Sequence, residues 1–159
     1  MDKINSNISG GSFCEDVDII YMPEWEVVKC HLKNAIGLCG NGFTMHDDGI
    51  MINETGTYMI CGSIYFNAYR KSYNIGVNVQ KSVYVRNQLN SEIIACAYNE
   101  QIENGNDGDL ILYGSVSSGS KIVHLSAGDI LYLYGRISGT DGNMYPNNPG
   151  TYLTINRLC

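Results

Sequence analysis

Charge is scarce in this chain of 159 residues: Asp, Glu, Lys and Arg make up 16 % of it, against about a quarter in ordinary soluble domains. Positive charge is scarcer still, with 10 Lys and Arg against 16 Asp and Glu and a net charge of −6. A chain so composed has no basic patch to neutralise phosphates, which argues against nucleic acid and against anionic membrane surfaces as partners. No apolar run approaches the roughly 20 residues of a bilayer span, so membrane insertion is not expected. Met1-Asp2-Lys3-Ile4-Asn5-Ser6-Asn7 holds no basic stretch leading into an apolar one, so no secretory signal peptide is expected. Tandem repeats, low-complexity tracts and Gly-X-Y triplets are absent from the sequence. No window sustains the 3.6-residue period of an amphipathic helix.

Catalytic and ligand-binding signatures are equally sparse. Ser63, Ser115 and Ser118 stand outside any GxSxG setting. Gly37, Gly40 and Gly42 follow no strand-to-helix pattern that cradles phosphate. His46-Asp47-Asp48 has residue types that suit metal or acid–base chemistry, but it reads more simply as a solvated turn. Asp107 and Asp109 can be imagined around calcium, yet their spacing is not that of an EF-hand loop. Arg70-Lys71 between Tyr69 and Tyr73 is a small basic-aromatic group of the kind that contacts a glycan or an acidic partner, though such a group is more often an ordinary loop. No catalytic residue, metal ligand or cofactor site is expected.

What the chain does have is two-residue alternation. Tyr58, Ile60, Gly62, Ile64 and Phe66 fall on one face, with Thr57, Met59, Cys61, Ser63 and Tyr65 on the other. Tyr73, Ile75, Val77 and Val79 alternate with Asn74, Gly76, Asn78 and Gln80. Further strand-like runs cover Ile50–Ile52, Glu92–Tyr98, Leu110–Val116, Ile122–Leu125, Ile130–Ile137 and Tyr152–Leu158. Turn signals separate them, among them Gly37–Gly42, Asn53–Gly56, Asn104–Gly108 and Ser117–Ser120. Eight to ten short strands with no helix predict an all-β two-sheet sandwich or jelly roll. Residues 1–22 read as an extended N-terminal arm with a flexible break at Gly10-Gly11-Ser12, and 23–159 as one domain.

Leu125 to Leu133 demands a tight reversal between two buried strands. Gly128 is suited to a positive φ there, and Asp129 to accepting backbone amides. Leu131 and Leu133 then face one way, and Ile130, Tyr132 and Tyr134 the other. Both faces are apolar or aromatic, so one fills the sandwich and the second wants a cover. Met59, Tyr65, Tyr132 and Tyr134 are the candidates for such a covered face. The 12 tyrosines against 3 phenylalanines fit it, because tyrosine supplies rigid interface area.

Six cysteines, at 14, 30, 39, 61, 96 and 159, form no CxxC pair and so no zinc ribbon. Cys61 and Cys96 lie in strand-like runs and read as small buried hydrophobes. Cys14, Cys30, Cys39 and Cys159 are the cross-link candidates. Cys14 and Cys159 stand near the two ends of the chain, where they can reach neighbouring subunits or remain incidental thiols. Each structural disulfide would add about 2–4 kcal/mol.

Gly49–Ile60, with its Gly56-x-Tyr58 step, resembles the signature of the C1q and tumour-necrosis-factor-like superfamily. Ser118–Leu133, with Leu125-x-x-Gly128-Asp129, resembles that superfamily's later hallmark, and Gly150–Leu158, around Tyr152, its closing strand. The three matches occur in order over residues 43–159. They are most similar to the C1q-like heads of collagen-like glycoproteins on spores of Gram-positive bacteria, although this sequence carries no collagen triplets and has more cysteines than such heads. The resemblance implies a C1q/TNF-like jelly roll in which two further subunits around a threefold axis supply the missing cover. It also implies a non-enzymatic, self-assembling subunit of a spore surface layer or filament. Its partners would be copies of itself and spore-surface proteins or glycans. Cross-linking would follow mother-cell lysis, which exposes a cytosolic product to oxidant. The alternative is a trimeric head that binds a receptor or glycan, as adhesins do.

Overall fold

The computed structural model describes residues 10–14, 19–30, 32, 34–39, 42–46, 49–69, 73–85, 88–101 and 112–159. All regular structure among them is β. The strands are β1 (Gly10–Cys14), β2 (Ile20–Met22), β3 (Val27–Cys30), β4 (Asn34–Cys39), β5 (Phe43–His46), β6 (Gly49–Ile52) and β7 (Gly56–Ala68). They continue with β8 (Tyr73–Val85), β9 (Gln88–Gln101), β10 (Leu112–Ser117), β11 (Lys121–Leu125), β12 (Ile130–Ser138), β13 (Gly142–Met144) and β14 (Tyr152–Arg157). Two antiparallel sheets result. The first runs β2-β13-β7-β14-β1-β4, with β10 and β11 also on β7; the second runs β5-β6-β12-β8-β9, with β3 also on β12.

The long strand β7 is the spine of the first sheet. Its opening half pairs with β11 and its closing half with β10, while β14 runs along the other edge. Strand β12 has the same role in the second sheet, pairing with β8 along its whole length and with β6 and then β3 on its other edge. Alternation decides what lies between the sheets. Tyr58, Ile60, Ile64 and Phe66 on β7 meet Val77, Val79, Leu131 and Leu133 from the second sheet, each at most 1 % exposed. Ile50, Ile52, Leu125, Leu153 and Ile155 close the same core. This is the all-β two-sheet jelly roll expected from the sequence.

The strand inventory differs from the expected one. Gly10–Cys14, expected as part of an arm with a flexible break, is strand β1 between β14 and β4. Part of the expected turn Gly37–Gly42 is the end of β4. Strands β2 and β13, three residues each, pair with one another. Such short or glycine-bearing segments carry no alternation to read, and their pairing is imposed by the long strands beside them.

Candidate assembly face

Because Tyr58, Ile60, Ile64 and Phe66 enter the core, Met59, Cys61 and Tyr65 of β7 point away from it. Residues directly opposite in the ladder point the same way. Ile122 sits across from Met59, Thr154 from Cys61, Tyr152 from Ser63, Ser115 from Tyr65 and Tyr113 from Asn67. None of these is Asp, Glu, Lys or Arg. The face is also exposed where it is most apolar, with Ile122 69 % and Tyr113 58 % accessible.

Where β10 flanks β7 stands a tyrosine cluster. The Tyr65 and Tyr113 rings stack at 6.3 Å between centroids, and Tyr145 meets Tyr65 edge-on at 5.8 Å and Tyr113 at 6.1 Å. The loop that brings Tyr145 there is tied down through the backbone, Tyr145 N–H donating to the Tyr65 carbonyl at 3.0 Å. Thr151 Oγ1 accepts from Tyr65 N–H at 2.8 Å, and Ser63 Oγ donates to the Gly150 carbonyl at 2.7 Å. Burial, then the neighbouring Tyr113 phenol, pushes the Tyr145 pKa above the usual tyrosine range. Sequence reasoning singled out neither Tyr113 nor Tyr145. Tyr113 carried a signal, the parity of β10 against β7; Tyr145 sits in a loop and carried none.

The four residues expected to share a covered face do not share one. Met59 and Tyr65 are on the outer face of the first sheet, whereas Tyr132 and Tyr134 are on β12, outside the second sheet. Tyr132 lies beneath the Lys29 ammonium, 4.6 Å from ring centroid to nitrogen, and 6.3 Å from Tyr134. Burial raises the Tyr134 pKa. That second face is studded with Lys29 and Arg136, so the two outer faces differ in kind.

The motif residues have definite structural roles. A Cβ on Gly56 would stand 2.4 Å from the Cys159 carbonyl oxygen, so the chain end packs where only glycine leaves room. Tyr58 is fully buried, and its hydroxyl donates to the Glu54 carbonyl at 2.5 Å. Leu125 is fully buried before the reversal, Gly128 has φ +93°, and Asp129 Oδ2 accepts the Ser126 N–H at 2.8 Å. The reversal is fastened to β6 by Gly128 N–H to the Ile52 carbonyl at 2.7 Å and Ile52 N–H to the Asp129 carbonyl at 2.8 Å. Tyr152 opens β14.

Solved structures share this arrangement. Murine APRIL, crystallised at pH 5.0, matches with a TM-score of 0.69 over 95 % of this chain and 99 % of its own, at 18 % identity. Eiger TNF from S. frugiperda matches with a TM-score of 0.70 over 96 % and 94 %, at 11 % identity. The fold is the TNF-like jelly roll. No protein-family model matches the sequence, and no curated protein matches it.

Within this TNF-like fold the cysteines are not distributed as their sequence context implied. Cys30, a cross-link candidate, is fully buried, while Cys96, expected inside, is exposed and Cys61 half-exposed beside Ser117 Oγ at 3.3 Å. Alternation gives two faces but not which one is covered: Cys96 pairs with Asn78 on the outer side of the second sheet. Cys14 pairs with Asn34 and Cys39 with Gly10, at opposite ends of one ladder. Four strand positions separate them, about 13 Å, whereas a disulfide joins Cα atoms roughly 4–7 Å apart; these two therefore do not bridge within a chain. Cys159 is exposed. Among the described residues, no three His, Cys, Asp or Glu gather as a metal site. Asp47, Asp48, Arg70, Lys71, Asp107 and Asp109 lie outside the described residues.

Proposed function

We propose that the chain is a non-enzymatic, self-associating TNF-like jelly-roll subunit whose copies cover one another's first sheet around a threefold axis. The observation that carries this reading is the outer side of β7, β10, β11 and β14, which among the described residues presents no Asp, Glu, Lys or Arg and leaves Ile122 and Tyr113 exposed on its edge strands. Interface cores are depleted of charge and enriched in tyrosine, and in a chain with 16 % charged residues this described face, without Asp, Glu, Lys or Arg, has the composition of a buried surface. The occupant is a second copy because a heterologous contact of this patch with a neighbour's edge closes into a ring when the rotation closes, as the C1q/TNF resemblance implies.

The place of that assembly is read from the sequence resemblance: a subunit of a bacterial spore surface layer, reaching the exterior when the mother cell lyses. Exposed Cys159 gives such a layer a sulfur with which to join particles. Electron microscopy of the purified protein, with gels run with and without reductant, tests both levels. Three-lobed particles and a ladder that collapses on reduction are expected. Single-lobed particles overturn the self-association, and a reductant-insensitive pattern overturns the cross-linked layer.

A further inference from the structure

The second sheet, away from the assembly face, carries a cavity of about 170 Å³ lined by Trp25, Asn74, Gly76, Arg136 and Ser138. The register explains the grouping. Arg136 is opposite Gly76 and Ser138 opposite Asn74, so all four point outward from adjoining strands β12 and β8. Trp25 overhangs them from the turn before β3, with the Arg136 guanidinium carbon 5.7 Å from its ring centroid.

Three features set this place apart from an ordinary surface dip. Trp25 is 63 % exposed although it is the largest apolar side chain in the protein. It also has φ +71°, a left-handed conformation that bulky L residues rarely adopt. The backbone holds it there: Trp25 N–H donates to the Ile137 carbonyl at 2.8 Å, and Glu24 Oε1 accepts the Gly139 N–H at 3.1 Å, tying the two rims together. Second, Arg136 makes no ion pair among the described residues, and its guanidinium stands over the Trp25 ring at the cavity. Third, Asn78, one outward position along β8 from Gly76, is only 5 % exposed, and its Oδ1 has no hydrogen-bond partner. Buried amide oxygens are nearly always satisfied, so the outer side of β8 keeps one unmatched acceptor next along the strand from the cavity lining.

A flat exposed indole, a guanidinium, an amide and a hydroxyl around one small cavity suit one ligand chemistry. Indole faces accept the axial C–H groups of a pyranose ring. Guanidinium binds carboxylate with charge-assisted hydrogen bonds, and Asn74 and Ser138 can exchange bonds with ring hydroxyls. We propose that this cavity is a saccharide site for an acidic sugar, its pyranose ring against Trp25 and its carboxylate on Arg136. The site lies on the opposite sheet from the assembly face and does not depend on it.

Trp25 is the sole tryptophan, so its fluorescence reports this site alone. Titration with methyl glucuronide is expected to change the emission saturably, and Arg136→Met to weaken binding about tenfold or more, the worth of a charge-assisted hydrogen bond. Methyl glucoside, which lacks the carboxylate, is expected to bind more weakly by a similar factor. Trp25→Gly suits the left-handed backbone, so it should fold at least as stably, and calorimetry should then detect no glucuronide binding. No emission change with either sugar, glucoside binding as tight as glucuronide, or unaltered affinity in folded Arg136→Met or Trp25→Gly would each overturn the assignment.

Discussion

Replacing Tyr113 with Asp puts one charge in the tyrosine cluster of the face assigned to self-association. Tyr113 is 58 % exposed in the single chain, and its ring contacts are with Tyr65 and Tyr145. Within the isolated chain the substitution therefore removes two aromatic contacts, about 1–2 kcal/mol in all. In the assembly it removes more. Covering the remaining exposed part of the ring, about 100 Å², is worth about 2.5 kcal/mol, and desolvating a carboxylate in its place adds several kcal/mol more. The combined loss exceeds about 4 kcal/mol per chain, which weakens association about a thousandfold or more. Sedimentation velocity at micromolar concentration should show wild-type trimer and Tyr113→Asp monomer, with circular dichroism of the variant still that of a β protein. Tyr132→Asp places the same charge on the second sheet and should leave the sedimentation coefficient unchanged. If Tyr132→Asp dissociates the particle while Tyr113→Asp does not, the faces have been assigned the wrong way round.

Three further outcomes follow from the fold. Gly128→Ala should destabilise by about 1 kcal/mol through its φ of +93° alone, because nothing lies within 4 Å of the added methyl; urea denaturation reads it, and an unchanged midpoint contradicts the strain argument. Arg157 is mostly buried beside the partly exposed Glu54 and also donates to the Thr55 carbonyl, so Glu54→Gln should lower stability by about 1 kcal/mol, less than a fully buried pair would. Burial, opposed by Arg157, raises the Tyr58 pKa above 10.0. The unfolded phenol then ionises first, so this contribution to stability is complete below pH 10 and declines as pH rises from 10 toward the folded value, by up to about 1.4 kcal/mol per pH unit. Tyr58→Phe should be less stable at pH 7, where it loses the bond to Glu54, and should close the gap above pH 10; parallel stability curves would contradict this.

The long strands were legible because a half-buried sheet must alternate, and β7, β8 and β12 alternate over eight or more residues each. The reversal at Gly128-Asp129 was legible because few residue types can make it. The faces were not, because alternation is symmetric: nothing local distinguishes the outward side of β7 from that of β12, and Tyr65 and Tyr132 look alike in sequence. Their difference is tertiary. Tyr65 is joined by Tyr113 and Tyr145 from distant segments, and Tyr132 by Lys29. Cys30 and Cys96 were exchanged between inside and outside for the same reason. Trp25 and Val27 have the two-residue spacing of one strand face, yet the positive φ of Trp25 takes it out of the ladder and over the Arg136 cavity.

The central claim is that copies of this chain cover the tyrosine-bearing face of one another's first sheet. Sedimentation equilibrium of the wild-type protein under reducing conditions tests it most directly, because it reads mass without regard to shape or disulfides. A mass three times the 17.6 kDa of the chain, held down to low micromolar concentration, is the predicted result. A single-chain mass at every concentration would contradict the claim.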